Sequence, residues 1–145
     1  MRVLISYTLL IAWMAVIFLL SSEGHDTSSG RSDTFVHALQ AAGVTWQADF
    51  LTLLVRKSAH ISAYFVLGIL IYSLLKEYRS HIKHLVIASI ALSMLYACTD
   101  ELHQMFVPGR SGEIRDVLID TAGAAAGVGM YAAVAMKLYK KPELV

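Results

Sequence analysis

One cysteine, Cys98, stands in 145 residues. A disulfide within the chain is therefore excluded, the redox compartment cannot be read from cysteine usage, and a cysteine-type zinc site is ruled out. No basic run with interleaved aromatics is present, so nucleic acid is not an expected partner. Charge is scarce as well: Asp, Glu, Lys and Arg make up 16% of the chain, against 57% hydrophobic residues and a mean hydropathy of +0.58. A soluble domain of this size carries more charge and alternates polar with apolar stretches. Here the apolar residues come in long blocks, which makes lipid the expected solvent.

The first block, Val3 to Leu20, holds no charge and approaches the ~20 residues that span a bilayer core. Arg2 before it and Ser21-Ser22 after it would also suit a signal peptide. Such apolar regions usually run about 7–15 residues and end in an A-x-A-like site. That site is missing, so a retained helix is expected. Three further spans are expected at about 57–75, 82–106 and 114–136, with Pro108-Gly109 breaking the chain between the last two.

Between the first two spans the composition turns polar. Residues 21–30 read as a flexible loop. Ser32-Asp33 can cap a short helix carrying Phe35, Val36 and Leu39, ended by Gly43. Thr45 to Val55, with Trp46 and Phe50, reads as a second short helix; both suit the interface. No internal repeat is seen. The expected fold is all-α: a polytopic membrane protein, a four-transmembrane-helix bundle with one or two short interfacial helices in the first outer loop. It forms one domain over residues 1–145.

Lysine and arginine near the span ends set the orientation. Arg2, then Lys76, Arg79 and Lys83, then Lys137, Lys140 and Lys141 alternate with the spans. Both termini and the 76–84 loop are thus expected in the cytoplasm, in a multi-pass protein of the cell membrane. Arg31, Arg56, Lys57, Arg110 and Arg115 count the other way. Lys57, Arg110 and Arg115 belong to a polar constellation where a functional role would override the bias.

Ionisable groups in a span cost about 2.5–3.5 kcal/mol near its centre on insertion scales, so a group of them calls for an account. Lys57, His60 and Tyr64 follow i, i+3, i+7 spacing, one face of the second span. Asp100, His103 and Gln104 share a face of the third, with Glu101 adjacent. Asp116, Asp120, Gly123 and Gly127 form a stripe on the fourth, and Arg110 lies in the short loop before it. The expected topology brings these groups to the outer side, as a polar pocket floored partway into the bilayer. Its carboxylates, Asp100, Glu101, Asp116 and Asp120, would meet Lys57, Arg110 and Arg115.

These residues also carry a family resemblance. Lys57-Ser58-Ala59-His60, followed by Tyr64 and Leu67-Gly68, resembles the second-span signature of VanZ-like proteins. Asp100-Glu101-Leu102-His103-Gln104, then Phe106, Pro108-Gly109-Arg110 and the run from Asp116 to Gly123, is similar to that family's strongest block. The first span, ending Phe18-Leu19-Leu20-Ser21-Ser22, also fits, and Asp120 stands where the family pattern allows asparagine. The resemblance implies a membrane protein associated, in some members, with lower susceptibility to teicoplanin and related lipoglycopeptides, and cell-envelope roles in others. It brings no reaction mechanism with it.

Each signal has a plainer alternative. Singly, His60, Lys57 and the acids fit helix packing or snorkelling; together on one face they favour a functional pocket. Tyr64 fits packing, and His103 can sit at the interface away from Gln104. Gly123-x-x-x-Gly127 is most simply a close helix-packing surface, within the bundle rather than across a dimer. Hard oxygen donors with imidazole from His60, His103, Asp100, Glu101, Asp116 and Asp120 could hold a divalent ion, but without an H-E-x-x-H spacing no metal site is expected. The sequence leaves any cofactor unknown.

Two functional classes remain open at this point. In the first, an enzyme at the outer interface acts on a lipid-linked phosphate or cell-wall intermediate. His60, Asp100, Glu101, Asp116 and Asp120 are its acid–base candidates, and Lys57, Tyr64, Gln104, Arg110 and Arg115 its substrate-binding candidates. In the second, the same pocket holds a lipid head group or alters lipoglycopeptide access without catalysis. A structural partner of a larger envelope complex is a third, weaker class. Membrane lipids are partners in every case.

Overall fold

A computed structural model describes residues 1–23, 25–78 and 81–139. Arg79, Lys140 and Lys141, which enter the charge count above, lie outside the described residues. Among the described residues there are five helices and no strand: α1 (Arg2–Ser21), α2 (His25–Ala41), α3 (Ala48–Lys76), α4 (Ile82–Gln104) and α5 (Ile114–Tyr139). All but α2 are long and apolar enough to cross a membrane.

The expected spans match these four helices, with two differences in the first connection. Residues 45–55 are not a separate short helix, because α3 begins at Ala48 and continues unbroken to Lys76. Nothing between Val55 and Lys57 breaks a helix, so the amphipathic stretch simply leads into the span. From Lys57 to Lys76 the helix rises about 29 Å, the thickness of a hydrocarbon core, so the turns before Lys57 project beyond it. The second difference is that residues 25–30 are helical rather than a flexible loop. Helix α2 lies against α3 and buries Ser32 and Val36. Gly43 ends α2 as expected. It adopts φ +95°, its N–H returns to the Gln40 carbonyl and that of Val44 to the Leu39 carbonyl. A left-handed residue at this position favours glycine.

Helices α3 and α5 make the most extensive contact. Small residues permit it. A Cβ placed on Gly123 would stand 2.7 Å from the Ile61 carbonyl oxygen, one on Gly127 would meet the Phe65 carbonyl, and one on Gly68 that of Ala124. The glycine stripe of α5 thus packs inside the bundle. Helix α4 buries a stripe at near four-residue spacing: Leu85, Ser89, Ser93, Ala97, then Asp100, Glu101 and Gln104. The Ser89 and Ser93 hydroxyls donate to carbonyls four residues back, which satisfies these two buried hydroxyls within the helix.

Helix α1 is peripheral: among its described side chains only Ile17 and Ser21 are buried. In lipid, apolar contact alone gives little drive to helix association, and hydrogen bonds between helices add to it. Trp13 Nε1 donates to the Ala63 carbonyl (2.9 Å), Tyr96 Oη to the Met14 carbonyl (2.7 Å), and Ser21 Oγ to the Asp100 carboxylate (2.8 Å).

Candidate functional site

The polar residues of three helices meet at one end of the bundle. On α3 the i, i+3 spacing carries Lys57 and His60 toward α5, where Asp116 and Asp120 stand one turn apart. The Lys57 ammonium pairs with Asp116, and His60 Nδ1 lies 3.4 Å from Asp120 Oδ2. Lys57 and Asp116 remain partly exposed, whereas Asp120 is 1% exposed.

Asp100, on α4, is buried in the centre. Its Oδ2 accepts from Ser21 Oγ (2.8 Å), Tyr64 Oη (3.4 Å) and Gln104 Nε2 (3.4 Å). One oxygen each of Asp100 and Asp120, Oδ1 in both, is buried with no hydrogen-bond partner among the described residues. His60, Asp100 and Asp120 each offer a donor atom, and these three atoms lie within 4.8 Å of one another.

Arg110 is delivered by the loop between α4 and α5. Pro108 and Gly109 occupy its turn, Gly109 has φ +75°, and the Arg110 N–H returns to the Val107 carbonyl (3.1 Å). These are the residue types of a type II turn. The guanidinium then donates to Gln104 Oε1 at 3.1 Å. A buried Glu101 fixes the far side of this loop, its Oε2 accepting the Glu113 N–H at 2.8 Å.

Two cavities share part of their walls here. A polar one of about 140 Å³ is lined by Lys57, His60, Gln104, Arg110, Glu113 and Asp116, among others. The other, about 220 Å³ and largely apolar, lies between α1, α2 and α3, against Ile17, Leu20, Phe35, Val55 and Ala63. Arg56, His60 and Arg110 line both.

The VanZ/LLP1 family model matches residues 6–136. The chain belongs to this family. Neither the curated proteins nor the solved structures offer a match. In this VanZ/LLP1 membrane protein the sequence-selected residues divide into groups. Lys57, His60, Gln104, Arg110 and Asp116 line the polar cavity, whereas Asp100 and Asp120 are buried and line neither cavity. Tyr64 is fully buried and lines neither cavity, its hydroxyl serving Asp100. Glu101 holds the loop backbone. Arg115 is exposed and lines neither cavity. His103 turns away: its Nε2 lies 3.0 Å from Ser22 Oγ and its ring 4.4 Å from that of Phe18.

Two contributors escaped the sequence reading. Ser21 stands out only as a serine closing an apolar span, and its partner is 79 residues away. Arg56 entered the charge count as an exception, yet it lines both cavities of this VanZ/LLP1 protein.

Proposed function

We propose that this VanZ/LLP1 protein acts on a lipid-linked phosphate at the outer face of the cell membrane, in the upkeep of the envelope. One observation carries the reading: an apolar cavity and a polar cavity share His60, Arg56 and Arg110. An amphiphile fits such a pair, its tail between α1, α2 and α3 and its head against the basic side chains. Arg110 suits a phosphate because a guanidinium presents paired donors to it. His60 stands at the junction with Asp120 behind it, the placement of a general acid or base oriented by a carboxylate. The outward orientation rests on Lys76, Lys83 and Lys137 at the opposite ends of the spans. The association of some family members with lipoglycopeptide resistance is consistent with a lipid-linked cell-wall intermediate as the ligand.

Native mass spectrometry of the detergent-solubilised protein tests the ligand class. A polyprenyl phosphate is expected to bind in preference to the matching polyprenol, and Arg110→Gln to remove the preference. Equal binding of phosphate and alcohol would overturn the reading. Turnover is followed separately, as release of inorganic phosphate or of the leaving group from the lipid. His60→Gln is expected to abolish turnover while phosphate binding persists. Wild-type binding without turnover on phosphate mono- and diesters would instead favour a non-catalytic lipid-binding protein.

A further inference from the structure

We propose that His60, Asp100 and Asp120 form a site for one divalent cation of the zinc or manganese type, beside the polar cavity that His60 lines. The donors come from three helices, α3, α4 and α5, and their atoms gather within 4.8 Å. Ions of this class hold imidazole and carboxylate donors at about 2.0–2.2 Å, so two donors on a tetrahedral ion stand about 3.4 Å apart. His60 Nδ1 and Asp120 Oδ2 are 3.4 Å apart, long for a charge-assisted hydrogen bond and right for two ligands of one ion. The Asp100 donor lies within 4.8 Å of both.

Burial and charge point the same way. Asp100 and Asp120 are 3% and 1% exposed, and each keeps one oxygen without a hydrogen-bond partner among the described residues. Buried carboxylates are paired or bound to metal. Of the nearby cationic side chains, Lys57 is paired with Asp116, and Arg110 donates to Gln104. A divalent ion would balance two carboxylates beside an imidazole. Ser21, Tyr64 and Gln104 all donate to Asp100 Oδ2, which orients the carboxylate and leaves Oδ1 over. Outer partners of this kind accompany metal-binding carboxylates. No thiol joins the cluster, so a soft ion is disfavoured. Three protein donors leave a position for water on a four-coordinate ion. The ion site stands on these contacts whether or not a lipid phosphate is the ligand; with an ion bound, His60 would be its ligand in place of the acid–base role given to it above.

Isothermal titration of the chelator-stripped, tag-free protein in detergent with Zn²⁺ and with Mn²⁺ tests this. One ion per chain is expected for at least one metal, with a rise in melting temperature on loading. His60→Gln and the near-isosteric Asp120→Asn are each expected to weaken binding more than about tenfold, since losing an outer partner alone costs about 10–100-fold. His103→Gln, whose imidazole is turned to Ser22, is expected to keep it. Helicity and the melting temperature of the metal-free variants check that they fold. Should Asp120→Asn fail to fold, His60→Gln, at a half-buried position, decides. No stoichiometric ion with either metal, or ion binding indifferent to His60→Gln in folded protein, overturns the proposal. Neither result touches the preference for phosphate over alcohol, which is read in a separate measurement.

Discussion

Ser21, in the last turn of α1, donates its hydroxyl to Asp100, in the last turn of α4, across 2.8 Å with both side chains buried. This bond ties the peripheral helix to the polar centre. Ser21→Ala removes the donor and leaves Asp100 Oδ2 with Tyr64 and Gln104 at 3.4 Å each. Hydrogen bonds between membrane helices contribute about 0.6 kcal/mol on average and up to about 1.7. A buried carboxylate places this one toward the upper end. Reversible unfolding in mixed micelles is expected to show a loss of about 1–2 kcal/mol, and Ser21→Thr, which keeps the hydroxyl, a smaller one. Equal losses for the two would show that packing rather than the bond matters here.

The close contact of α3 and α5 sets the second expectation. A methyl on Gly123 would stand 2.7 Å from the Ile61 carbonyl oxygen, which is backbone and cannot swing aside. Gly123→Ala is therefore expected to push the helices apart, at about 1–3 kcal/mol, the usual cost of overpacking. Gly129 faces open space within the same helix. There the added methyl is expected to be harmless, and alanine's higher helix propensity gives a slight gain. Comparable melting temperatures for Gly123→Ala and Gly129→Ala would contradict the packing account.

Glu101 separates positioning from chemistry. It is buried beside the loop and accepts the Glu113 N–H at 2.8 Å, lining neither cavity. An acid–base role needs a carboxyl group there, whereas a positioning role needs only an acceptor. Glu101→Gln is thus expected to keep the phosphate-over-alcohol preference, and Glu101→Ala to weaken it by loosening the loop that carries Arg110. Lipid turnover lost equally in both variants, with binding intact, would return Glu101 to the catalytic candidates.

The first span was legible as uncharged length, and the other three as long apolar stretches with their ionisable groups near the ends. Helical spacing was also enough to put Lys57 and His60 on one face and Asp116 and Asp120 on another. Two kinds of information were not local. The polar residues 25–30 continue the helix whose Ser32 and Val36 are buried farther along, and their composition alone conceals it. Ser21 meets Asp100 only through the tertiary fold. Side-chain direction near a helix end was the third difficulty. Asp100 and Glu101 are sequence neighbours about 100° apart around α4, so one points to the bundle centre and the other to the loop. Their common chemistry made them look like members of one cluster.

Orientation rests on sequence charge, and labelling can test it. Ser111 is exposed in the loop beside the polar cavity, and Glu77 is exposed just past the opposite end of α3. Cys98 is exposed on α4 and is first replaced by serine, so that each introduced thiol is the sole target. With Lys76, Lys83 and Lys137 holding their end of the spans in the cytoplasm, Ser111→Cys faces outward. A membrane-impermeant maleimide is then expected to label Ser111→Cys in intact cells, and Glu77→Cys only after the membrane is permeabilised. The reverse pattern would place the polar cavity on the cytoplasmic side. It would also show that Arg56, Lys57, Arg110 and Arg115, rather than the lysines at the far end, set the topology. Labelling of both positions in intact cells would mean that the insertion is mixed, and the charge bias too weak to fix one orientation.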